Sequence, residues 1–494
     1  MRDWLIHLRR GEYSSLQSQI REALVSAILD RNLDQAEPIP STRKMAKSLS
    51  VSRNTVVLAY QGLLDDGYLV ARERSGYFVS EKALTEVAPL QKKGALKATS
   101  EAETKTVTDW PNRFKLRPSA NAFPSKPSDW QTYPYPFIYG QVDHTLFPLA
   151  EWRECTRQAL GKKWLGTWTN DAWSVDDPLL VEQIRRRILP RRGIMASDEE
   201  ILITLGAQNA LYLLTTLLVD TSTHVAMENP GYPDMRNAFE LHAGKVSSVP
   251  LDEHGMTVGA ALDSCDIAFT TPSHQYPTTV TMSLERRLAL LKKARERNFL
   301  IIEDDYEFET NYVNEPCPAL KSLDDDGRVI YVGSLSKTLF PGLRLGFMVG
   351  PKALIAEARA MRRLMVRHPP NNNQRAAALF LSLGHHDTLI RRLHKAYRSR
   401  WETMATALNT HLPKASRSPS FGGTAYWVKG PADLDSEKLA VAALARGIFI
   451  EPMGLAFAGK PQPNAHFRLA FSSIDEAKIE PGIKLLAETI GDLT

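Results

Sequence analysis

Between residues 201 and 349, seven short apolar runs alternate with helical stretches, and this alternation leaves few architectures open to the chain. The runs fall at 201–205, 224–228, 245–249, 267–270, 299–303, 329–333 and 345–349. Most are predominantly apolar, as expected of strands buried on both faces. The helical stretches between them, such as Leu284–Arg297, supply the covering layers. The pattern predicts an α/β fold with a largely parallel sheet. Beyond Gly350 a long helical region runs to about residue 412. A smaller α+β piece follows, with strands near 425–428, 448–451 and 467–471.

In open α/β sheets, ligands bind beyond the carboxyl ends of the strands. Three segments there carry polar chemistry. Asp304, Asp305 and Tyr306 follow the run 299–303. A carboxylate at that place can keep a pyridine nitrogen protonated, and a tyrosine can donate to a phenolate oxygen; an acidic loop is the bland alternative. The run 329–333 leads into Ser334, Ser336 and Lys337, with Arg344 seven residues further on. A lysine made neutral by its setting can form a Schiff base, and serines with a forked arginine can close on a phosphate. A lone lysine would more often face solvent. Gly206, Ala207 and Gln208 join a strand to a helix, so that backbone amides can meet an anion. Taken singly each signal is weak, but one cofactor needs all three: an anion cradle, a carboxylate for a ring nitrogen and a lysine for an aldehyde.

The first 80 residues follow different rules. Residues 14–80 read as three helices and a short hairpin. Leu16, Ile20, Leu24, Ala27 and Ile28 form a helical stripe, and Ser41 and Ser52 are N-caps of the next two helices. Val56, Val57, Tyr60, Leu63 and Leu64 mark the buried face of the third. From Pro38 to Leu64 no acidic residue occurs, while Arg43, Lys44, Lys47 and Arg53 do. On charge alone, a phosphate-backbone footprint and a solvated basic face fit equally well. The spacing of the two caps adds that the third helix can enter a major groove, with Arg53 forked onto guanine and Thr55 on base or phosphate. Arg72 and Arg74 in the hairpin can follow the adjacent backbone. Residues 81–125 lose all period and read as a linker, leaving 126–494 as the second domain.

Composition restricts the setting. The 494 residues are 43% hydrophobic and 24% charged with a net charge of +5, values of a soluble globular protein. Cys155, Cys265 and Cys317 are scattered without metal-ligand spacing, which fits a reducing compartment. The first residues lack the apolar core of a signal peptide, and no window is apolar enough to span a bilayer, so a cytoplasmic protein is expected.

Four blocks in the head, Pro40-Ser41-Thr42-Arg43, Val51-Ser52-Arg53-Asn54-Thr55-Val56, Asp66-Gly67-Tyr68-Leu69 and Ser75-Gly76-Tyr77-Phe78-Val79, resemble the GntR-type winged helix-turn-helix. The resemblance implies DNA contacts at Arg43, Arg53 and Gly76, and Ser41, Ser52, Thr55, Arg72 and Arg74 join them as candidates from the helix starts and the hairpin. The body resembles fold-type I aminotransferases dependent on pyridoxal 5'-phosphate, and more closely the MocR/GabR branch of GntR regulators. That likeness rests on Glu228-Asn229-Pro230-Gly231-Tyr232, on 271–278 and 301–306, and on Leu335-Ser336-Lys337-Thr338-Leu339-Phe340-Pro341-Gly342-Leu343-Arg344. Position by position it implies that Lys337 bonds the cofactor aldehyde and that Asp304, rather than Asp305, faces the pyridine nitrogen. Tyr306 would reach the ring hydroxyl, Tyr232 would border the ring, and Ala207, Gln208, Ser334, Ser336 and Arg344 would gather the phosphate. Arg468 would receive the acid group of an amino-acid ligand.

The departures carry information too. Tyr276 stands where aminotransferases usually have an asparagine, and Thr279 replaces a glycine; an aromatic at the first place is shared with regulators of the branch. Asp234 occupies a place where a GABA-sensing branch has an arginine, which argues against GABA as ligand. Tyr133, Tyr135, Arg367 and Tyr426 are candidate pocket residues. The expectation is a homodimeric transcriptional regulator that binds a double-stranded DNA operator and senses a small amine or amino acid through its cofactor. The alternatives are a working aminotransferase with an accessory DNA head, and a cofactor-free dimerisation scaffold.

Overall fold

The computed structural model describes residues 8–9, 14–85, 108–313, 317–417, 422–459 and 464–493. The chain forms two compact units that divide between Arg113 and Phe114. Most of the linker expected at 81–125, namely 86–107, lies outside the described residues. The second unit begins twelve residues before the expected boundary at 126.

In the first unit, α1 (Leu16–Leu29), α2 (Thr42–Leu49) and α3 (Arg53–Asp65) precede the antiparallel hairpin β1 (Leu69–Arg72) and β2 (Gly76–Val79). Its core joins Ile20, Leu24 and Ile28 of α1 to Met45, Val56, Tyr60 and Leu63. The Tyr60 hydroxyl donates to the Pro40 carbonyl at 2.8 Å, tying α3 to the start of α2. Val57, expected in that core, is 38% exposed, and Ala59 takes the buried place. Val57 therefore belongs to the outer face of α3.

In the second unit, β3 (Tyr135–Pro136) is followed by the strands of a large sheet: β4 (Ile201–Thr204), β5 (His224–Asn229), β6 (Lys245–Asp252), β7 (Gly255–Met256), β8 (Ile267–Thr270), β9 (Leu300–Asp305), β10 (Val329–Ser334) and β11 (Gly346–Val349). Their order is β4-β11-β10-β9-β8-β5-β6-β7. The five central strands from β10 to β6 are parallel, whereas β11 is antiparallel to both its neighbours. All seven expected strands are present. Helices Ala207–Leu218, Pro233–His242 and Lys352–Val366 cover one face, and Leu284–Arg297 covers the other.

The smaller sheet is β12 (Ser416–Arg417), β13 (Ala425–Lys429), β16 (His466–Ala470) and β15 (Glu451–Pro452), in that order. The strand expected at 448–451 is split: β14 (Ile448–Phe449) pairs with β3, and β15 pairs with β16. That break turns Glu451 toward Arg468, its partner in the β15–β16 register.

Candidate cofactor site and DNA-binding head

The carboxyl ends of β9 and β10, the start of helix Ala207–Leu218 and the small sheet open onto one cavity of about 660 Å³. Lys337, Asp304, Tyr306, Tyr232, Ala207, Gln208, Ser334, Ser336, Arg344 and Arg468 all line it. The fold thus brings together all ten residues to which a cofactor or ligand role was given, though not the four further pocket candidates.

One end of the cavity is built for an anion. Gly206 precedes the helix with φ 81°, and no side chain caps that helix, so its first amides keep no intrahelical partner. Arg344, itself left-handed at φ 54°, donates through Nη2 to the Leu205 carbonyl at 3.2 Å. A Cβ on Gly206 would lie 3.4 Å from the Arg344 guanidinium. A Cβ on Gly346 would come within 2.7 Å of the Gly206 carbonyl carbon, so β11 can lie against this turn only as glycine. Ser334 and Ser336 complete the end, with the Ser336 amide donating to Ser334 Oγ at 3.2 Å.

In the middle, Asp304 Oδ1 is buried without a hydrogen-bond partner. Burial, and then the neighbouring charge of Asp305, push its carboxyl up to about 8. Asp305 points elsewhere: its Oδ2 accepts from Arg192 Nε at 2.8 Å and from the Tyr331 hydroxyl at 2.9 Å. Position therefore separates the two aspartates. The Tyr232 hydroxyl reaches Gln208 Oε1 at 3.0 Å, and its ring meets Tyr276 edge-on at 5.2 Å. Buried Glu228 steadies the loop bearing Tyr276, accepting from Thr271 Oγ1 at 2.7 Å and Gln275 Nε2 at 3.1 Å. Thr279 in that loop has φ 64°, so the turn still demands the backbone that glycine adopts most readily.

The other end gathers cations around one ring. Lys337 Nζ lies 4.2 Å from the Tyr139 ring centroid, and the Arg468 guanidinium lies 3.8 Å from it. Burial first, with Lys126 and Arg468 adding to it against the opposing pull of Glu307, brings the Lys337 amine down to about 8. Arg468 is not free: Nε donates to Glu451 Oε2 at 2.9 Å, and Nη2 pairs with the same oxygen at 2.7 Å.

Four residues missed by the sequence reading complete this end: Lys126, Tyr139 and Glu451 line the cavity, and Glu307 lies behind it, accepting from Thr424 Oγ1. Residues 123–125, read as linker, also line it. Conversely, Tyr133, Tyr135, Arg367 and Tyr426 do not. Tyr426 stacks on Trp401, Tyr135 packs against Gly482, and Arg367 pairs with Asp171. Side-chain type alone cannot tell a core tyrosine from a cavity one.

In the head, Ser41 Oγ accepts from the Lys44 amide and Ser52 Oγ from the Thr55 amide, at 3.4 and 3.1 Å. Both serines are caps, and the Thr55 hydroxyl lies 2.8 Å from Ser52 Oγ. Arg43 and Arg53 are exposed at the starts of α2 and α3. The Arg72 guanidinium lies 4.3 Å from the Phe78 ring centroid, while Arg74 at φ 60° lies in the hairpin turn and Gly76 at φ 108° opens β2.

Comparison with known proteins matches both units. Residues 16–79 fit the family of bacterial regulatory proteins, gntR family, and residues 173–486 fit aminotransferase class I and II. The HTH-type transcriptional regulator TauR of Rhodobacter capsulatus is 43% identical over 485 residues, 98% of each chain. The chain belongs to the MocR/GabR-type branch of the GntR family. A probable rhizopine catabolism regulatory protein, MocR of Rhizobium meliloti, is 29% identical over 98% of this chain and 95% of its own. Kynurenine aminotransferase of Pyrococcus horikoshii, solved in complex with PMP, superposes with a TM-score of 0.71 at 29% identity, covering 78% of this chain and 98% of that one. This GntR-family chain is thus a DNA-binding transcriptional regulator with a fold-type I domain, and pyridoxal 5'-phosphate is the cofactor of that domain. The residues present fit the group: the partnerless Asp304 Oδ1 suits a protonated ring nitrogen, and the uncapped helix start beside Arg344 suits a phosphate. Among the described residues, no helix is long and apolar enough to cross a membrane.

Proposed function

We propose that this regulator senses a small amine or amino acid at the cavity and carries out no sustained transamination. The observation behind it is the meeting of Lys337, Asp304 and Arg344 in one cavity roofed by Tyr276 rather than by an asparagine, in a chain that also carries a DNA-binding head. Pyridoxal phosphate supplies an aldehyde that takes up amines and a ring that withdraws electrons. The residue roles are those the family resemblance implies, and their meeting in one cavity supports them. Lys337 Nζ would hold the aldehyde carbon, the place at which a ligand amine would also be received. Asp304 keeps the ring nitrogen protonated, Tyr306 serves the ring hydroxyl, and Tyr232 borders the ring. The amides of Ala207 and Gln208, with Ser334, Ser336 and Arg344, hold the phosphate, while Arg468 faces the ligand's acid.

In the head, Arg43 and Arg53 meet DNA, Arg72, Arg74 and Gly76 set the wing on the backbone, and Ser41, Ser52 and Thr55 orient the two helix starts. The protein acts as a cytoplasmic homodimer, so that two heads address paired half-sites. The difference in ligand affinity between two head arrangements is what moves the DNA equilibrium.

The test is spectral. Purified protein should be yellow and Lys337→Ala colourless, and an amine should shift the absorbance stoichiometrically. Keto acid accumulating over many turnovers would instead establish a working aminotransferase.

A further inference from the structure

Arg468 alone does not explain the charged end of the cavity. Lys126, from the irregular chain at the cavity mouth, reaches in until its Nζ stands 2.9 Å from Glu451 Oε1 and donates to the Tyr139 carbonyl. Its side chain is 31% exposed, against 7% for Glu451 and 4% for Arg468. Glu451 is therefore shared between Lys126 and Arg468 in a largely dry corner; with Lys337 and buried Glu307 counted, three cations face two carboxylates, and a positive charge is left over. Lys126, Lys337 and Arg468 also lie around the one Tyr139 ring, at 5.4, 4.2 and 3.8 Å from its centroid.

We propose that Lys126 and Arg468 form one anion clamp in which Glu451 is a built-in stand-in, displaced from Lys126 by the acid group of a short amino acid effector. The clamp takes an anion because a second acid beside Glu451 neutralises the surplus cation, whereas a neutral group would leave it unpaired. Lys126 is the member able to change partner, being long, flexible and only partly buried, while Arg468 is fixed by a hydrogen bond and a close ion pair to Glu451 and by its strand register.

The geometry also sets the length of the ligand. Lys337 Nζ and Lys126 Nζ lie 3.0 and 3.8 Å from the place of a Cβ on Gly140, hence at most about 7 Å apart. With the ligand amine at Lys337 and its acid lying between the two amines at a hydrogen-bond distance of roughly 2.9 Å from Lys126, at most about 4 Å separates the two groups. One to three carbons span that distance. This length rests on the amine-sensing reading; the clamp itself does not.

The experiment uses the cofactor-loaded full chain and three probes: 3-aminopropanoate, its neutral isostere 3-aminopropanamide, and propanoate, which has the acid without the amine. The amines are followed by cofactor absorbance and propanoate by calorimetry. The expected result is that Lys126→Met weakens propanoate at least ten-fold, weakens 3-aminopropanoate at least ten-fold relative to 3-aminopropanamide, and is rescued by Lys126→Arg. Glu451→Gln should tighten both acids at least ten-fold, as the internal competitor is lost. The clamp is overturned if Lys126→Met affects acid and amide alike or neither, if the wild type takes up no propanoate, or if Glu451→Gln weakens the acids. Propanoate uptake that depends on Lys126, with no absorbance response to either amine, would uphold the clamp while refuting amine sensing.

Discussion

Lys337 owes its chemistry to its neighbours. A buried amine is penalised as a cation, and Lys126 and Arg468 add like charge. The neutral amine is the form that bonds an aldehyde, so cofactor capture by the stripped protein should quicken as pH rises and be half-maximal near 8. Lys126→Met removes a cation that holds Lys337 down, so it should move that midpoint upward and slow capture at pH 7.5. Stopped-flow absorbance across pH checks both shifts. His274 gives a second case, since burial lowers its imidazole to about 4. Between that value and 6.5 the unfolded chain binds the proton more tightly, so stability falls as pH drops through this window. Urea unfolding at pH 5 should show a loss of about 2 kcal/mol relative to pH 7 from this group, and His274→Asn should flatten the slope.

At the scale of elements, the site depends on two strands placing their carboxyl ends against one helix start. Gly346 is the tightest point, with β11 backbone lying against Gly206 and Ala207. Gly346→Ala should push that turn away from Arg344 and weaken cofactor binding at least ten-fold, as measured by equilibrium dialysis, with the helical circular dichroism retained. The same elements explain what the sequence could show. Buried strands announce themselves by unbroken apolar runs, and residues just past their ends fall at the cavity by the geometry of α/β sheets, so Asp304, Ser334 and Lys337 were legible. Lys126 was not, because irregular chain has no period to place a side chain. Glu451 was hidden because the 448–451 run divides between two sheets, a choice made by the contact of β3 with β14 and invisible in local sequence. Val57 was misplaced for a related reason: a recognition helix keeps apolar residues on its outer face.

At the scale of the whole molecule, the two units have separable chemistry. Arg53→Ala should reduce binding to the protein's own upstream DNA about ten- to hundred-fold while the cofactor colour stays intact, because a forked arginine–guanine contact contributes about 1–3 kcal/mol. On the proposed reading the units are joined by linkage: a ligand can shift the DNA equilibrium only by as much as its affinity differs between the two arrangements. The most direct measurement is fluorescence anisotropy of that DNA with the cofactor-loaded protein, with and without a panel of short amino acids, in the wild type and in Lys337→Ala. The account predicts that at least one amino acid changes the wild-type affinity five-fold or more and leaves the variant's unchanged. An equal response in both proteins, or no response in the wild type to any amine that alters its cofactor absorbance, would contradict it.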